Sequence, residues 1–501
     1  MSRKRTIGTR AALGGLTAAV ALMTAQPAAR ADELSDLRAN QDLLQRRIDQ
    51  LAQAQVPGNL YGVGGPPGPV NVQMTGGSFP RSFLIPGTDT SIRVGGEIRL
   101  NSLFWVTGGN PNQNPPSTNA GTTGQVNNIP LKGTVARLRG DKVLNISPQQ
   151  SKLSVETRTP TAYGEARSFL EFDFAGGVSG GARILHASDN LIPRLRYAYG
   201  TLGPLLFGQA NSNFNDADAG LETLDFGGLI GGSGPARIPQ IRWTQPLGNW
   251  GLLGALSVSA EASETEIWAP GVAGNSGVFG ANGDSAGIPG VGNVLKNTAP
   301  SIVAAWYIPQ PWGHVDFAGV VRPLLTVEHP FGAGVDKQYT GYAFNFSGDV
   351  KPRWFGWNND YFVWGFVVGE AAGMYHYAGS NSSAGLVSNI TAATLTSNSV
   401  NVKPTRGWAG RIGYRHEWAP GWRSNIGVGH WHLDIPRPGS GLVAGNTGGM
   451  NTDLTMGVAN LIWAPTAFVD IGMEYVYGRR KTVNGANGDQ HVIINRMRLR
   501  F

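Results

Sequence analysis

The sequence predicts an all-β protein, a transmembrane antiparallel β-barrel of about sixteen strands that follows a short N-terminal coiled-coil helix. Three observations support this fold class. The last residues of the chain alternate strictly between apolar and charged side chains. An export signal precedes a chain that has no second long uncharged apolar segment. Short turns rich in proline and glycine, flanked by aromatic residues, recur along the sequence.

The C-terminal segment has the pattern of a strand between two different environments. One face carries apolar side chains and the other carries arginines. The two sets are Met497, Leu499 and Phe501, and Arg496, Arg498 and Arg500. A period of two indicates a β-strand, and an apolar face towards lipid with a charged face towards a lumen is typical of transmembrane barrels. The terminal Phe501 resembles the closing aromatic residue of bacterial outer-membrane barrels.

The N-terminus predicts export. Arg3-Lys4-Arg5, the apolar segment Ala11 to Ala25 and the pattern Ala29-Arg30-Ala31 together predict a signal peptide over residues 1–31, cleaved after Ala31. Its apolar run is too short to span a bilayer. With no cysteine, the chain has neither a disulfide nor a thiolate metal site. Export without a transmembrane helix leaves a soluble periplasmic protein or a barrel in the outer membrane of a Gram-negative cell.

Composition argues against a nucleic-acid partner and against an ordinary soluble enzyme. The chain has 72 Gly and 14 Trp but only 15% charged residues, which suits many strands with aromatic belts. Five of its 40 Lys and Arg residues precede Asp32, so the remaining 35 nearly balance the 33 acidic residues. The basic character therefore belongs mostly to the signal peptide, and nucleic-acid binding loses its support.

Residues 32–55 predict a coiled-coil helix. Two sets of positions repeat every seven residues and are offset by three, as the a and d positions of a heptad are. They are Leu34, Gln41 and Ile48, and Leu37, Leu44 and Leu51. The alternative is a lone amphipathic helix; self-association is favoured, although about three heptads need the barrel to hold the partners close. A Gly/Pro-rich linker over residues 56–81 leads to the barrel domain, residues 82–501.

Short turns flanked by aromatic residues outline the barrel. The flanking pairs are Tyr199 and Phe207, Trp243 and Trp250, Trp306 and Trp312, Trp418 and Trp422, and Trp463 and Phe468. A long polar loop follows one strand after each turn. Short turns on one side, long loops on the other and aromatic residues near the short side describe an outer-membrane barrel. A soluble β-sandwich would not separate them so regularly.

Sixteen strands fit between these turns and loops. We expect them to begin near Ser91, Ser151, Glu165, Arg194, Leu205, Ile238, Gly251, Ser301, His314, Gln338, Asp360, Arg406, Arg423, Asp453, Phe468 and His491. Val178 to His186 could form a further strand, but an odd number would leave the C-terminus on the wrong side. We assign it to the loop between the third and fourth strands. A barrel of this size can enclose an aqueous channel.

When the apolar side of each strand faces lipid, the inward side collects arginines. The six predicted to line the pore and bind anions are Arg99, Arg167, Arg196, Arg242, Arg411 and Arg498. Guanidinium groups that converge from many strands attract carboxylates or phosphates. The alternative is that they only neutralise acidic neighbours in a wet lumen. Anion recognition is favoured because arginines outnumber acids at the inward positions.

The segment Asn211 to Ala236 predicts a constriction loop. It is longer than a connection requires and carries four acids among apolar residues. The acids are Asp216, Asp218, Glu222 and Asp225, and the apolar anchors are Leu221, Leu224 and Phe226. Folded into the barrel opposite the arginines, it would narrow the pore and create a transverse field. The alternative is an external loop that binds divalent ions or lipopolysaccharide.

Signatures of enzymes and cofactors are weak or absent. His430-Trp431-His432 has a spacing seen in metal sites but lacks a third ligand nearby, so we interpret it as barrel wall. A Ser-His-Asp arrangement has no specific support. No phosphate-binding or dinucleotide-binding glycine motif occurs in a strand-to-helix setting. We therefore expect no catalytic residues, no metal and no cofactor.

The opening of the barrel resembles the DcaP-like trimeric outer-membrane porins. The matching stretches are Ser82 to Ser91 with Val94-Gly95-Gly96, Glu156 to Glu165, Tyr199-Gly200, Phe207-Gly208-Gln209, Asp216 to Ala219, and Glu222 to Gly228. One departure is Ala210-Asn211, which stands where a bulkier pair, often with Trp, is expected. Beyond Gly228 the resemblance is only architectural.

This resemblance implies a homotrimer of sixteen-stranded barrels, an inward-folded third loop and uptake of small anionic solutes such as dicarboxylates. The expected partners are therefore outer-membrane lipid, lipopolysaccharide and small anions. We expect a passive channel with a preference for small organic anions. The alternatives are a non-selective general porin and, in a different class, a barrel enzyme such as an outer-membrane phospholipase.

Overall fold

The structure is a computed structural model of the chain, and it describes only part of it. The described residues are 76–109, 126–176, 191–233, 237–247, 253–269, 277–280, 295–328, 336–376, 378, 385–390, 400–435 and 450–501. The predicted signal peptide, the coiled coil and most of the linker lie outside these residues, as does the segment Val178 to His186. The chain divides into two compact units, Met1–Ser91 and Ile92–Phe501.

The described part of the first unit is a short extended segment. Its strand Phe83–Leu84 forms a bridge to Gly76, and the amide of Ile85 donates to the carbonyl of Thr90 over 2.8 Å. The amide of Ser78 donates to the hydroxyl of Ser91 over 2.9 Å. These bonds close a compact turn.

The second unit is built from sixteen antiparallel barrel strands, counted over the described residues. They are β1 Ser91–Thr107, β2 Lys152–Thr161, β3 Gly164–Asp173, β4 Arg194–Leu202, β5 Leu205–Asn211, β6 Arg237–Pro246, β7 Ala255–Glu261, β8 Ser301–Gln310, β9 Gly313–Glu328, β10 Asp336–Val350, β11 Tyr361–Glu370, β12 Arg406–Ala419, β13 Trp422–Asp434, β14 Asn451–Trp463, β15 Val469–Thr482 and β16 Asn487–Arg500. All sixteen predicted starts fall within four residues of these bounds.

The sheet closes on itself because its first and last strands pair. Ile98 of β1 lies opposite Leu499 of β16, and every other strand pairs with its neighbours in the sequence of barrel strands. The short strand Val143–Ser147 precedes β2 and also pairs with β1. Pro148 helps to separate this short strand from β2, because proline has no backbone N–H to donate within a sheet. Closure leaves no unpaired edge among the sixteen described barrel strands, as a membrane barrel requires.

The connections alternate between short and long, with two departures. Turns such as 162–163, 203–204, 311–312 and 420–421 join strands on one side. The connections on the other side are mostly long, but 329–335 and 483–486 are short. By the usual rule, the short-turn side faces the periplasm and the long-loop side faces the exterior.

The outer wall is apolar and the inner wall is polar on the last strand, as the alternation predicted. Met497 is 58% exposed whereas its neighbour Arg496 is 3% exposed. The aromatic residues next to the short turns are also exposed; they are Trp243, Trp306, Trp312, Trp418, Trp422, Trp463 and Phe468. Trp354, Phe355 and Trp357 extend this belt into the turn before β11. Such a belt suits a membrane–water interface.

Smaller elements occupy the long-loop side. An α-helix spans Val135–Leu138, and 3-10 helices span Val126–Asn128 and Gly373–His376. A further 3-10 helix, Trp354–Gly356, lies instead on the short-turn side. The short strands Glu266–Ala269, Gly277–Gly280, Leu386–Ser388 and Val402–Pro404 form a separate four-stranded sheet, and Leu295–Asn297 extends the barrel sheet beside β9. No helix within the described residues is long and apolar enough to cross a membrane.

Loops pack against part of the inner wall, which the sequence did not lead us to expect. The inward side chains of β8 to β11 are small and apolar over much of their length, and they form a buried cluster with Phe214 and Tyr375 from two loops. The wall members of this cluster include Val303, Ala305, Ala318, Val320, Ala343 and Val367. Protein therefore covers this part of the inner wall, and most inward arginines lie on the other strands.

Candidate functional site

The loop that follows β5 folds into the barrel. Its described residues, 212–233, contact inward-facing side chains of β8 to β10 at one end and of β12 to β16 further along. Its position is therefore internal, as the constriction hypothesis requires. That this loop sets the narrowest point of a pore stays a prediction.

The beginning of the loop is held by histidine and tyrosine on the wall. The ring of His314 lies between two carboxylates and forms a hydrogen bond with each. Its Nε2 lies 2.9 Å from Asp216, and its Nδ1 contacts Asp349. The ring of Tyr307 stacks on His314 at 4.8 Å, and its hydroxyl donates to Asp218 over 3.2 Å. Two of the four predicted loop acids therefore bind the wall opposite the arginines, where Asp216 is buried and Asp218 stays exposed.

Glu222 binds the arginine wall directly. Its carboxylate accepts two hydrogen bonds of 2.7 Å from Arg423, while Arg415, Arg496 and Arg498 lie 3.5–3.9 Å away. Burial alone would raise the pKa of Glu222, but the hydrogen bonds and charge of Arg423 and the charges of Arg415 and Arg496 outweigh it and hold the pKa below its usual value. Glu222 is thus an ionised centre that several guanidinium groups share.

The middle of the loop is fixed by a wall carboxylate that the sequence analysis missed. Glu474 accepts hydrogen bonds from the amides of Leu224 and Asp225 over 2.8 and 2.9 Å, and from the amide group of Asn460 over 2.8 Å. The side chain of Asp225 accepts from the amide of Gly227 and so closes a local turn. Asp470, Gly472 and Glu474 are spaced by two residues on the same strand and therefore share its inward face. This spacing could have identified Glu474 as an inward residue.

The three apolar loop residues have two different roles. Leu221 and Leu224 are buried and pack in a cluster with inward residues such as Val458 and Ile462. Phe226 instead lies among guanidinium groups of the wall, with Arg99, Arg194 and Arg196 at 5.7, 5.6 and 5.0 Å from its ring centre. These are cation–π distances, so the aromatic ring meets the arginine wall without neutralising it.

The predicted pore arginines all lie on the inner wall, where most contact an acid. Arg99 pairs with Glu97 at 2.7 Å, Arg167 with Glu156 at 2.7 Å, Arg196 with Glu171 and Asp173 at 2.6 and 3.0 Å, and Arg498 with Asp470 at 2.5 Å. Arg411 donates to the loop carbonyls of Ala219 and Leu229. Arg242 has no ion pair with any residue in the described ranges.

Several of these acids are shared, which leaves the inner wall with an excess of positive charge. Asp470 contacts Arg496, Arg498 and Arg500. Glu156 likewise contacts three arginines, which are Arg93, Arg158 and Arg167. Arg158 and Arg423 were not among the inward residues that the sequence suggested. The inner wall of β1 to β4 and β12 to β16 is therefore cationic even though its arginines are paired.

The opposite side of the interior carries acids. Asp316 and Asp349 face inwards on β9 and β10, close to the loop residue Asp216. Glu261 at the end of β7 accepts from the hydroxyl of Ser212 and the amide of Asn213, both over 2.7 Å. The acids thus lie both on this wall and on the loop, where Glu222 faces the arginine wall as the sequence suggested.

The two histidines of His430-Trp431-His432 point outwards from β13. His432 Nδ1 lies 2.8 Å from Asp453, and His430 Nδ1 lies 2.9 Å from the hydroxyl of Thr455. Trp431 points inwards, where its indole nitrogen donates to the carbonyl of His376. Within the described residues no group of three His, Cys, Asp or Glu side chains is placed to hold a metal ion.

Comparison with known proteins adds a family and a fold. The family model described as "Porin subfamily" matches residues 81–434. No curated protein matches the chain. The fold is similar to that of the outer membrane channel DcaP of Acinetobacter baumannii, with a TM-score of 0.61, 20% identity, and coverage of 82% of this chain and 97% of that one.

More distant structures also match over most of their length. OmpT of Vibrio cholerae is 9% identical with a TM-score of 0.44, covering 83% of this chain and 99% of that one. An anion-selective porin from Comamonas acidovorans is 8% identical with a TM-score of 0.42, covering 82% and 100%. The resemblance to the DcaP-like porins is thus supported by the family match and by the fold. The chain belongs to the porin subfamily, and it is an outer-membrane β-barrel channel rather than an enzyme.

Proposed function

We propose that this porin is a passive channel with a preference for small organic anions such as dicarboxylates. The observation that carries the proposal is the sharing of few acids by many arginines on one inner wall. Glu222 has four arginines within 3.9 Å, and Asp470 and Glu156 have three each. Such a wall attracts anions and discourages cations.

The separation of charge suggests why a dicarboxylate would pass. One side of the interior is cationic, and the other carries Asp216, Asp316 and Asp349. An anion with charged and neutral groups would orient its carboxylates towards the arginines. Phe226 provides an apolar surface between the guanidinium groups of Arg194 and Arg196 for the neutral part. The permeability ratio of a small dicarboxylate to an alkali cation, recorded with the reconstituted protein, tests this proposal.

A non-selective general porin is the second candidate, and one observation favours it. Four of the six predicted pore arginines contact a carboxylate, as in the alternative in which they only neutralise their neighbours. The two candidates differ in the permeability ratio: a general porin would show little preference between ions of similar size. The excess of arginines over shared acids leads us to favour anion preference.

We further propose that the chain assembles as a homotrimer in contact with lipopolysaccharide, and that the coil at residues 32–55 supports assembly. Replacing both Leu44 and Leu51 by Asp would put charges into the seam of the coil. We expect the trimer to dissociate at a lower temperature, while the barrel stays folded. Semi-native electrophoresis after graded heating measures this. Substitution of the non-seam residue Gln45 by Glu is the control, and an unchanged dissociation temperature for the Asp variant would argue for a different role of the coil.

A further inference from the structure

The outer face of β15 becomes cationic just beyond its apolar band. Along β15 the outward side chains are apolar or aromatic as far as Tyr477, and then become Arg479 and Lys481. With a rise of about 3.4 Å per residue and a tilt of about 40°, Arg479 lies about 26 Å along the membrane normal from Val469. The apolar band of such barrels is about 25 Å tall. Arg479 therefore lies at the level of the outer lipid headgroups.

A pocket of about 330 Å³ opens at this level. Its lining includes Lys132, Tyr477, Arg479, Asp489 and His491. Lys132 comes from the loop after β1, and the other four come from the outward side of β15 and β16. The pocket is thus a feature of the outer wall and its rim, separate from the lumen that the constriction loop enters.

The pocket has a guanidinium group without a counter-ion. Arg479 is exposed, and within the described residues its guanidinium group has neither an ion pair nor a hydrogen bond. Its cross-strand neighbour Asp489 binds Lys132 at 2.8 Å and lies 3.8 Å from Arg137. The one carboxylate is therefore already shared by two other cations. An unpaired cation beside a lipid phase favours an anionic partner, and guanidinium matches phosphate oxygens in a bidentate manner.

The wall below the pocket suits acyl chains. Met473 is 58% exposed, and Ile493 and Tyr475 lie beside it on the same face. The hydroxyl of Tyr475 contacts Nδ1 of His491 at 2.6 Å, which fixes the rings at the border between the apolar wall and the pocket. A cationic pocket above an apolar surface matches an anionic amphiphile better than a free soluble anion.

We propose that this pocket binds the phosphate group of an anionic lipid of the outer leaflet. Arg479 and Lys132 bind the phosphate oxygens, Lys481 adds positive charge, and the acyl chains lie along the wall below. The proposal depends on the outer-membrane location and specifies where the lipopolysaccharide contact lies. It does not depend on the anion preference of the channel, so selectivity recordings and lipid binding can fail independently of each other.

Native mass spectrometry of the full-length protein in detergent, titrated with bis-phosphorylated lipid A, tests this site. We expect Arg479→Gln with Lys132→Gln to weaken binding about twenty-five-fold, because each cation near an anionic lipid contributes about fivefold. Arg406→Gln is the matched control: Arg406 is exposed on the outer wall and already pairs with Glu370 at 2.7 Å. That variant should bind lipid like the wild type.

Three results would overturn the proposal. The first is equal lipid affinity of the double variant and the wild type. The second is equal binding of lipid A and its dephosphorylated form by the wild type, since the phosphate would then contribute nothing. The third is displacement of the lipid by an equal concentration of inorganic phosphate, which would indicate a site for free anions. Because Asp489 keeps Arg137 as a partner in the double variant, misfolding is not expected to obscure these outcomes.

Discussion

Deletion of Ala219 to Gly231 is expected to raise the single-channel conductance and to weaken discrimination between anions of different size. The deleted segment contains the loop contacts to Glu474, Arg411 and Arg423, so the interior loses the protein that crosses it. The bonds of Asp216 to His314 precede the deletion and should keep the shortened loop on its wall.

The same deletion should strengthen the preference for anions over cations. It removes Glu222, the carboxylate that Arg415 and Arg423 share, and leaves these guanidinium groups facing water. The substitution Glu222→Gln is the matched control, because it removes the charge and keeps the loop. It should increase anion preference with a smaller change in conductance. A correctly assembled deletion variant with wild-type conductance would show that this loop does not limit ion flow.

Replacement of Arg99, Arg167, Arg196 and Arg242 together by Gln should reduce anion preference strongly at low salt. In water a unit charge about 4 Å from an ion contributes about 1 kcal/mol, or about fivefold in local concentration. The effect should shrink at high salt, since at physiological ionic strength charge is screened over about 8 Å. The permeability ratio of a dicarboxylate to a monovalent cation measures the change.

The fold should survive these four substitutions because the paired acids keep other cations. Glu156 keeps Arg93 and Arg158, and Asp173 keeps Arg194 at 2.6 Å. Glu97 keeps Lys152 and Arg498 at 3.6 and 3.7 Å. Among the acids of the described residues, Glu171 alone loses its arginine partner without a replacement of this kind. Arg167→Gln with Arg242→Gln therefore provides a milder variant. Arg406→Gln, on the outer wall, is the control for loss of charge alone. Wild-type selectivity of the four-fold variant at low salt would contradict the assigned role of these arginines.

Strand positions could be predicted from the sequence because a membrane barrel imposes two solvents on every strand. The alternation of Met497 and Leu499 with Arg496 and Arg498 follows directly from this. Aromatic residues such as Trp306 and Trp418 mark the short turns for a similar physical reason, since their rings favour the membrane interface. Local chemistry thus marks where each strand runs and which of its faces meets lipid.

The arrangement of the interior could not be predicted in the same way. Inward residues of β8 to β11 such as Val303 and Ala318 are apolar because loops cover them. An alternation between lipid-facing and water-facing residues does not predict that a loop replaces water on the inner face. The binding of Glu222 to Arg423, and of Leu224 to Glu474, joins residues far apart in the chain. Such pairings depend on how the loop crosses the barrel, which periodicity does not specify.

The reversal potential of the wild-type protein in a planar bilayer, under a gradient of potassium chloride, tests the central claim most directly. A cationic inner wall should make chloride more permeant than potassium, so the reversal potential should have the sign of an anion-selective pore. Substituting a dicarboxylate salt for the chloride should preserve that sign. A reversal potential near zero, or one with the sign of a cation-selective pore, would contradict the proposed anion preference.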